Sequence, residues 1–336
     1  MRRSGRRVGP AWLVPLALAL ALVVGCTAPR AGEADVRHPS TSLAGRVAAV
    51  ADEFHRTVID VRAVSVWVGS RPLVDRYYDS SAVETSDVAT VADSVLSILV
   101  GIAIDEGAIR GTEETLADLL PRHAASMAPR LRTATLCEVL TMTAGLPRDG
   151  VAGQLSSPAR RPGQVFEYSR GAAHVLAAIL VEATGRPVLE FARDKLFDPL
   201  GIDSSPAATR SGNPDIVGWR LTASDMAKIG RLMLAGGRWE GRQVVSRRWV
   251  DQSTRAHVRT AGTSAMTDQY GYLWWVTSAD NHVAFAAIGT GGQLIEVVPD
   301  LDLVTVISTR VTDVTHGQER LDLGLVDQVI APVLAQ

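Results

Sequence analysis

The sequence predicts a mixed α/β (α+β) domain in which one antiparallel β-sheet is flanked by N- and C-terminal helices and carries an inserted helical lobe. Strand patterns occur near both ends of the chain, helical patterns fill its middle, and an amphipathic or apolar helix pattern stands at each end. Strands so far apart share one sheet most simply when the chain ends meet. With 46% hydrophobic residues, the 336-residue chain can bury one large core.

The domain is predicted to begin with a helix and a hairpin. Apolar residues recur at helical spacing over residues 43–57, with Val47 and Phe54 on one side. Strand-like runs follow at 61–68 and 73–77. The intervening Gly69-Ser70-Arg71-Pro72 is typical of a hairpin turn.

The middle of the chain is predicted to be helical and the last quarter to return to strands. Helical spacing with Gly or Pro stops predicts helices at 91–106, 116–120, 136–142, 171–184 and 224–235. Strand patterns follow at 271–276, 283–288, 294–298 and 303–308, and a final apolar helix at about 319–334.

The N-terminus is predicted to be an export signal followed by a lipid anchor. A basic segment with four arginines, a short apolar stretch at 11–24 and a small-residue site before Cys26 are typical of a secretory signal over residues 1–25. A cysteine at that place resembles the lipidated first residue of bacterial lipoproteins. Residues 26–42 then form a flexible tether, and residues 43–336 the domain. We therefore expect a protein on the outer face of the cytoplasmic membrane; the alternative is an uncleaved anchor.

Charge and composition argue against several functions. Loss of the four signal arginines takes the formal charge from -2 to about -6. No basic stripe indicates nucleic-acid binding. The seven histidines show no metal-ligand spacing, so neither a metal site nor a cofactor is predicted.

Six segments, in order, resemble the serine β-lactamase and penicillin-binding-protein family. They are similar to its class C-like branch, which includes esterases, DD-peptidases and 6-aminohexanoate-dimer hydrolase. The segments are LVGIAIDEG (99–107), LTMTAGLP (140–147), FEYS (166–169), FDPLGI (197–202), LTASDMAKIG (221–230), and GTGGQ (289–293) with VVPDLDLV (297–304). The resemblance implies a serine-hydrolase fold with three catalytic motifs: Ser-x-x-Lys, Tyr-x-Asn and Lys/His-Thr/Ser-Gly.

The first motif, Ser-x-x-Lys, does not occur anywhere in the sequence. The chain has two lysines, Lys195 and Lys228, and neither follows a serine by three residues. At the matching place stand Thr90 and Asp93. Threonine with aspartate at the start of a helix is typical of a capping box. Thr90 as a nucleophile is the alternative, although an ordinary aspartate is a weak base at neutral pH.

The other two motifs are altered as well. The second keeps Tyr168 but has Arg170 in place of asparagine. Because the family's lysine and asparagine are neighbours, the resemblance implies that Asp93 and Arg170 form an ion pair beside Tyr168. The third reads Gly289-Thr290-Gly291, with glycine where the family places a cation. Thr290 and Gly291 are candidate ligand contacts, and a close strand approach that requires glycine is the alternative.

Together these features predict a lipid-anchored envelope protein with an impaired hydrolase centre that binds a small-molecule, peptide or cell-wall ligand. Two alternatives remain open. One is an active hydrolase that uses Thr90 or an unmatched serine such as Ser94 or Ser97. The other is a purely structural envelope protein. Trp274 and Trp275 are expected to serve mainly in packing.

Overall fold

An eight-stranded antiparallel sheet forms the centre of the computed structural model, which describes residues 42–335 apart from 59, 147–162, 164, 204, 207–217, 261–266 and 311–317. The predicted signal, Cys26 and all but the last residue of the predicted tether lie outside these residues. The strands are β1 (Val61–Val68), β2 (Arg71–Tyr77), β3 (Ser86–Asp87), β4 (Ser205–Pro206), β5 (Trp219–Leu221), β6 (Arg238–Trp239), β7 (Arg242–Gln243), β8 (Val258–Arg259), β9 (Gln269–Tyr270), β10 (Trp275–Ala279), β11 (His282–Gly289), β12 (Gln293–Val298) and β13 (Leu303–Thr309).

The helices frame this sheet. They are α1 (Leu43–Thr57), α2 (Val91–Asp105), α3 (Leu116–Leu119), α4 (Pro129–Arg132), α5 (Leu136–Leu140), α6 (Arg170–Thr184), α7 (Val188–Ala192), α8 (Asp198–Leu200), α9 (Ala223–Leu234), α10 (Arg247–Ser253), α11 (Gln318–Leu325) and α12 (Ala331–Leu334). Two π-helical segments, Arg193–Phe197 and Val326–Ile330, join α7 to α8 and α11 to α12.

The sheet brings the two ends of the domain together, and this confirms the predicted fold class. Its strand order is β2-β1-β13-β12-β11-β10-β9-β8. β1 pairs with β13, so that Val61 lies opposite Thr309 and Trp67 opposite Val304. The chain between β2 and β8 supplies the helical lobe and the short strands.

The two faces of the sheet are covered by different helices. α9 packs on the face that carries Ile295 and Val304, so closely that a Cβ atom on Gly230 would stand 2.6 Å from Val304 Cγ1. Glu296 and Thr305, the next residues along their strands, lie opposite each other in the register. Their side chains alternate to the other face, where α11 packs on β12.

One predicted strand, at residues 271–276, is wrong over most of its length. β10 begins only at Trp275, and the residues before it form an irregular bend. Leu273 adopts a positive φ of 61°. Its amide donates to the Leu140 carbonyl and its own carbonyl accepts from Ser94 Oγ, at 3.0 and 2.6 Å. These partners lie in the helical lobe, so the apolar pattern reflects burial there rather than strand pairing.

Candidate functional site

The candidate site is built around the first turn of α2. Asp93 lies in this turn and is 7% exposed. Tyr168 stands two residues before α6, in a segment held by a 2.9 Å bond from the Glu167 amide to the Met142 carbonyl. Because α2 packs against α6, the two side chains meet, and Tyr168 Oη donates to Asp93 Oδ2 at 2.5 Å.

Burial controls the protonation of this pair. Desolvation raises the pKa of Asp93 from its ordinary value of 3.8 to about 6, although the Tyr168 hydrogen bond and the positive charge of Arg170 act in the opposite direction. Desolvation, followed by the charge of Asp93, raises the pKa of Tyr168 well above its ordinary value of 10.0. At neutral pH the tyrosine is therefore protonated and serves as a donor to the carboxylate.

The predicted capping box at Thr90 is wrong. A capping residue normally has an extended backbone, as Thr135 and Thr222 do in the capping boxes of α5 and α9. Thr90 instead has φ -77° and ψ 0°, and its side chain makes no cap hydrogen bond. The Asp93 amide donates to the Thr90 carbonyl at 3.1 Å, not to the Thr90 hydroxyl. Because no capping box forms, the Asp93 carboxylate is available to Tyr168.

The predicted ion pair between Asp93 and Arg170 is also wrong. Among the described residues, no ion pair joins these two side chains. Arg170 is the first residue of α6 and its side chain is exposed. Tyr168, not the guanidinium, occupies the contact position at the carboxylate. Arg170 acts on Asp93 through its charge, which lowers the pKa of Asp93.

The end of β11 closes against the segment that leads into α2. Thr90 Oγ1 donates to the Ile288 carbonyl at 3.0 Å. A Cβ atom on Gly289 would stand 2.6 Å from the Val88 carbonyl oxygen, closer than real Cβ contacts. The close approach that requires glycine is therefore present. A lysine cannot occupy position 289 unless the backbone moves.

Thr290 and Gly291 lie in the tight turn between β11 and β12. Thr290 is half-buried, whereas Gly291 is buried. Gly291 and Gly292 have φ values of 89° and 92°, which favour glycine. The Gly291 carbonyl accepts from Thr309 Oγ1, so its oxygen is used within the sheet.

An aromatic cluster behind Tyr168 was not predicted as part of the site. Tyr168 stacks on Trp275 with ring centroids 6.0 Å apart, and Phe166 and Tyr270 meet the same indole edge-on. The charge of Asp93 contributes to a raised pKa of Tyr270, after burial. The FEYS segment and the WW pair were the available signals, but only the fold brings them together.

The remaining candidate residues lie away from this pair. Ser94 is 2% exposed and donates to Leu273, and Ser97 is fully buried, so neither is accessible as a nucleophile. Lys195 pairs with Glu106 at 2.7 Å, and Lys228 with Asp225 at 3.0 Å. Both lysines are thus engaged elsewhere.

Within the described part of the chain, no group of three or more His, Cys, Asp or Glu side chains is arranged to hold a metal ion. A groove of about 260 Å³ lies between α1 and the edge strand β2, not at Asp93. The chemistry available at the site is therefore that of a buried carboxylate, a phenol and the Thr90 hydroxyl.

Replacing Asp93 by asparagine should stabilise the protein at neutral pH. The folded pKa of about 6 lies above the ordinary 3.8, so the stability associated with Asp93 is complete below pH 3.8 and is lost as pH rises through 6. The loss is on the order of 2 to 3 kcal/mol. Urea unfolding at about pH 4 and pH 7 should show the gain only at the higher pH. The exposed Asp251→Asn is the control, and a variant less stable than the parent at neutral pH would contradict the expectation.

Comparisons with known proteins agree with this architecture. The Beta-lactamase family model matches residues 49–326. The 6-aminohexanoate-dimer hydrolase of Paenarthrobacter ureafaciens is 31% identical over 154 residues, which is 42% of this chain. The match spans 38% of that enzyme's length.

Solved structures show the same fold. A penicillin-binding protein homologue from Caulobacter crescentus superposes with a TM-score of 0.70 at 16% identity and covers 86% of this chain and 97% of that one. A beta-lactamase from Mycobacterium bovis does so with a TM-score of 0.65 at 19% identity and covers 86% and 99%. The strand order, the place of α2 and the family match over most of the domain lead to one conclusion: this chain belongs to the beta-lactamase family.

Proposed function

We propose that this protein is a non-hydrolytic member of its family that binds a small-molecule, peptide or cell-wall ligand. The proposal depends on one observation, the hydrogen bond from Tyr168 to a buried Asp93 where the family places lysine. Tyr168 already carries its proton and donates it to the carboxylate, and its raised pKa makes loss of that proton costly. It is therefore a poor proton acceptor for a nucleophile. Gly289 further leaves no room for the cation of the third motif.

A hydrolase that uses Thr90 is the second candidate. Interaction with the Thr90 side chain lowers the pKa of Tyr168, a smaller effect than the burial and the Asp93 charge that raise this pKa. In this mechanism the Thr90 oxygen adds to a carbonyl carbon, whose C=O π electrons move to its oxygen, while the Thr90 proton passes to Tyr168 and the tyrosine proton to Asp93. Collapse of the tetrahedral adduct then breaks the ester or amide bond, and the departing alcohol or amine takes a proton back through Tyr168 from Asp93. Against this, Thr90 Oγ1 donates to the Ile288 carbonyl, which directs its proton away from Tyr168.

The described domain should neither hydrolyse nitrocefin nor be labelled by a fluorescent penicillin or a fluorophosphonate. The family mechanism needs nucleophile and proton acceptor together, and loss of one member removes most of the rate enhancement. Intact-protein mass spectrometry after incubation measures labelling directly. A stoichiometric adduct mapped to Thr90, and absent from Thr90→Val, would establish the second candidate instead.

Ligand binding at the site is tested separately by thermal unfolding with muropeptides, short peptides and acyl esters. A ligand at many times its Kd should raise the free energy of unfolding by about 2 to 3 kcal/mol. Arg170→Gln, which changes an exposed side chain at the site, should reduce the shift for a charged ligand, whereas Arg56→Gln on α1 should not. A panel that shifts neither parent nor variant would favour the purely structural role.

We also propose that the protein is exported and held on the outer face of the cytoplasmic membrane through Cys26. The charged, apolar and small-residue segments before this cysteine support the proposal. Within the described residues, no helix is both long and apolar enough to cross a bilayer.

Cys26→Ser should release the protein from the membrane fraction or leave its signal uncleaved. Two acyl chains on one modified cysteine anchor stably where one chain is marginal. Detergent partitioning and N-terminal mass analysis of the exported protein measure the effect. Cys137→Ser, which changes the other cysteine, is the matched control. Unchanged partitioning with an intact N-terminus would identify an uncleaved anchor.

A further inference from the structure

A second polar feature lies on α9, at the other end of the sheet from Asp93. The Arg231 guanidinium carbon lies 4.4 Å from the ring centroid of Trp67 and 4.9 Å from that of Trp239, over both rings. Val61, at the start of β1, pairs with Thr309, which contacts Gly291 in the turn between β11 and β12. Trp67 lies six residues further along β1. At about 3.3 Å per residue, this separates the two places by roughly 20 Å.

The two indoles hold the guanidinium in a defined position. Trp67 is fixed by a 2.9 Å hydrogen bond from its Nε1 to Ser65 Oγ. Trp239 belongs to the β6–β7 hairpin, in which it pairs with Arg242. A cation–π contact places the cation over the face of an aromatic ring, and the five N–H donors of a guanidinium lie in the plane of that group.

The in-plane donors of Arg231 have no acceptor in the described part of the protein. Neither a hydrogen bond nor an ion pair of Arg231 occurs among the described residues. Partial burial lowers the pKa of Arg231, and no described carboxylate raises it again. A desolvated cation without a counter-charge is costly, so an anion in this plane would be favoured.

The hairpin beside Arg231 adds positive charge. Arg238 precedes Trp239 in the sequence, and Arg242 lies opposite Trp239 in the strand pair. Both arginines are exposed. Glu240 at the tip is the one carboxylate of residues 238–243. Arg238 and Arg242 thus add positive charge to the hairpin that carries Trp239, on a chain of formal charge -2.

We propose that Arg231, held over Trp67 and Trp239, is a binding site for a carboxylate group, distinct from the Asp93–Tyr168 site. Planarity selects the ligand class. A carboxylate can lie in the guanidinium plane and accept two parallel N–H bonds beside the indoles. A tetrahedral phosphate can also accept two such bonds, but its other two oxygens lie outside that plane and would have to fit beside apolar rings.

The test uses the full domain labelled with ¹⁵N at its tryptophan indoles, with peaks assigned from Trp67→Phe and Trp239→Phe. At constant ionic strength, N-acetylglycine should shift the Trp67 and Trp239 signals with a millimolar Kd. The uncharged N-acetylglycinamide should not. Arg231→Met, which keeps an apolar stem over the rings, should weaken binding about tenfold or more, and Arg231→Lys should weaken it less. The exposed Arg56→Met should match the parent.

Four results would each overturn the proposal: equal shifts with the amide, unchanged affinity in Arg231→Met, tighter binding of inorganic phosphate than of N-acetylglycine, or absence of any saturable shift. Thermal unfolding of each variant identifies a misfolded protein, and Arg231→Lys then provides the comparison. None of these readouts depends on the chemistry at Asp93.

Discussion

Replacing Glu296 by glutamine should stabilise the protein by several kcal/mol at alkaline pH and change its stability little at acid pH. Glu296 lies in the middle of β12, is 2% exposed, and accepts from Thr277 Oγ1 at 2.7 Å through one oxygen. Its other oxygen has no partner among the described residues. Burial, and then the charge of Asp327, raise the pKa of Glu296 from 4.5 to about 8.

Because the folded pKa of Glu296 is higher than its ordinary value, the free energy of unfolding falls as pH rises. Below pH 4.5 both folded and unfolded chains carry the proton, and the stability is complete. As pH rises from 4.5 to 8 the unfolded chain ionises first, at a cost of about 1.4 kcal/mol per pH unit, or on the order of 3 to 5 kcal/mol in total. Glutamine does not ionise and avoids this loss.

Urea unfolding of parent and Glu296→Gln at about pH 5, 7 and 9 measures the difference. It should grow with pH, while the exposed Glu240→Gln should give a small, constant difference. A Glu296→Gln difference that is the same at all three pH values would mean that the carboxyl group is already ionised in the folded protein.

Replacing Gly101 by alanine should destabilise the protein by about 3 kcal/mol or more. Gly101 lies within α2, where alanine would normally be favoured over glycine. A Cβ atom there would stand 2.2 Å from Cδ1 of Trp249, a residue of α10 that is 3% exposed. The indole is packed on all sides and cannot swing away, so one of the two helices must shift.

A double-mutant cycle isolates this contact. Trp249→Leu alone should be destabilising because it leaves a cavity, but Gly101→Ala should cost much less in its presence. The matched control is Gly111→Ala, since a Cβ atom on Gly111 has nothing within 4 Å. Additive effects of the two substitutions would show that the clash is relieved locally.

The large elements were predictable because their patterns are local. Apolar spacing predicted α1 and β1 at their observed limits, and the main helices to within a few residues. The hairpin between β1 and β2 and the pairing of terminal strands follow from turn chemistry and chain order. The short strands β3 to β9 have two or three residues each. Segments of that length are too short to show a periodic pattern of apolar residues.

The sequence by itself determined the family and the absence of Ser-x-x-Lys, whereas the requirement for glycine at position 289 became certain only from the close approach of the Val88 carbonyl. Only the tertiary structure decided what Asp93 does. Its carboxylate had three partners available in principle: the amide of its own helix turn, the guanidinium of Arg170 and the hydroxyl of Tyr168. The αR backbone at Thr90 excluded the first, and the exposed position of Arg170 excluded the second. The packing of α2 against the start of α6 supplied the third. A hydrogen bond between residues 75 positions apart depends on the relative placement of two elements, which no local pattern encodes.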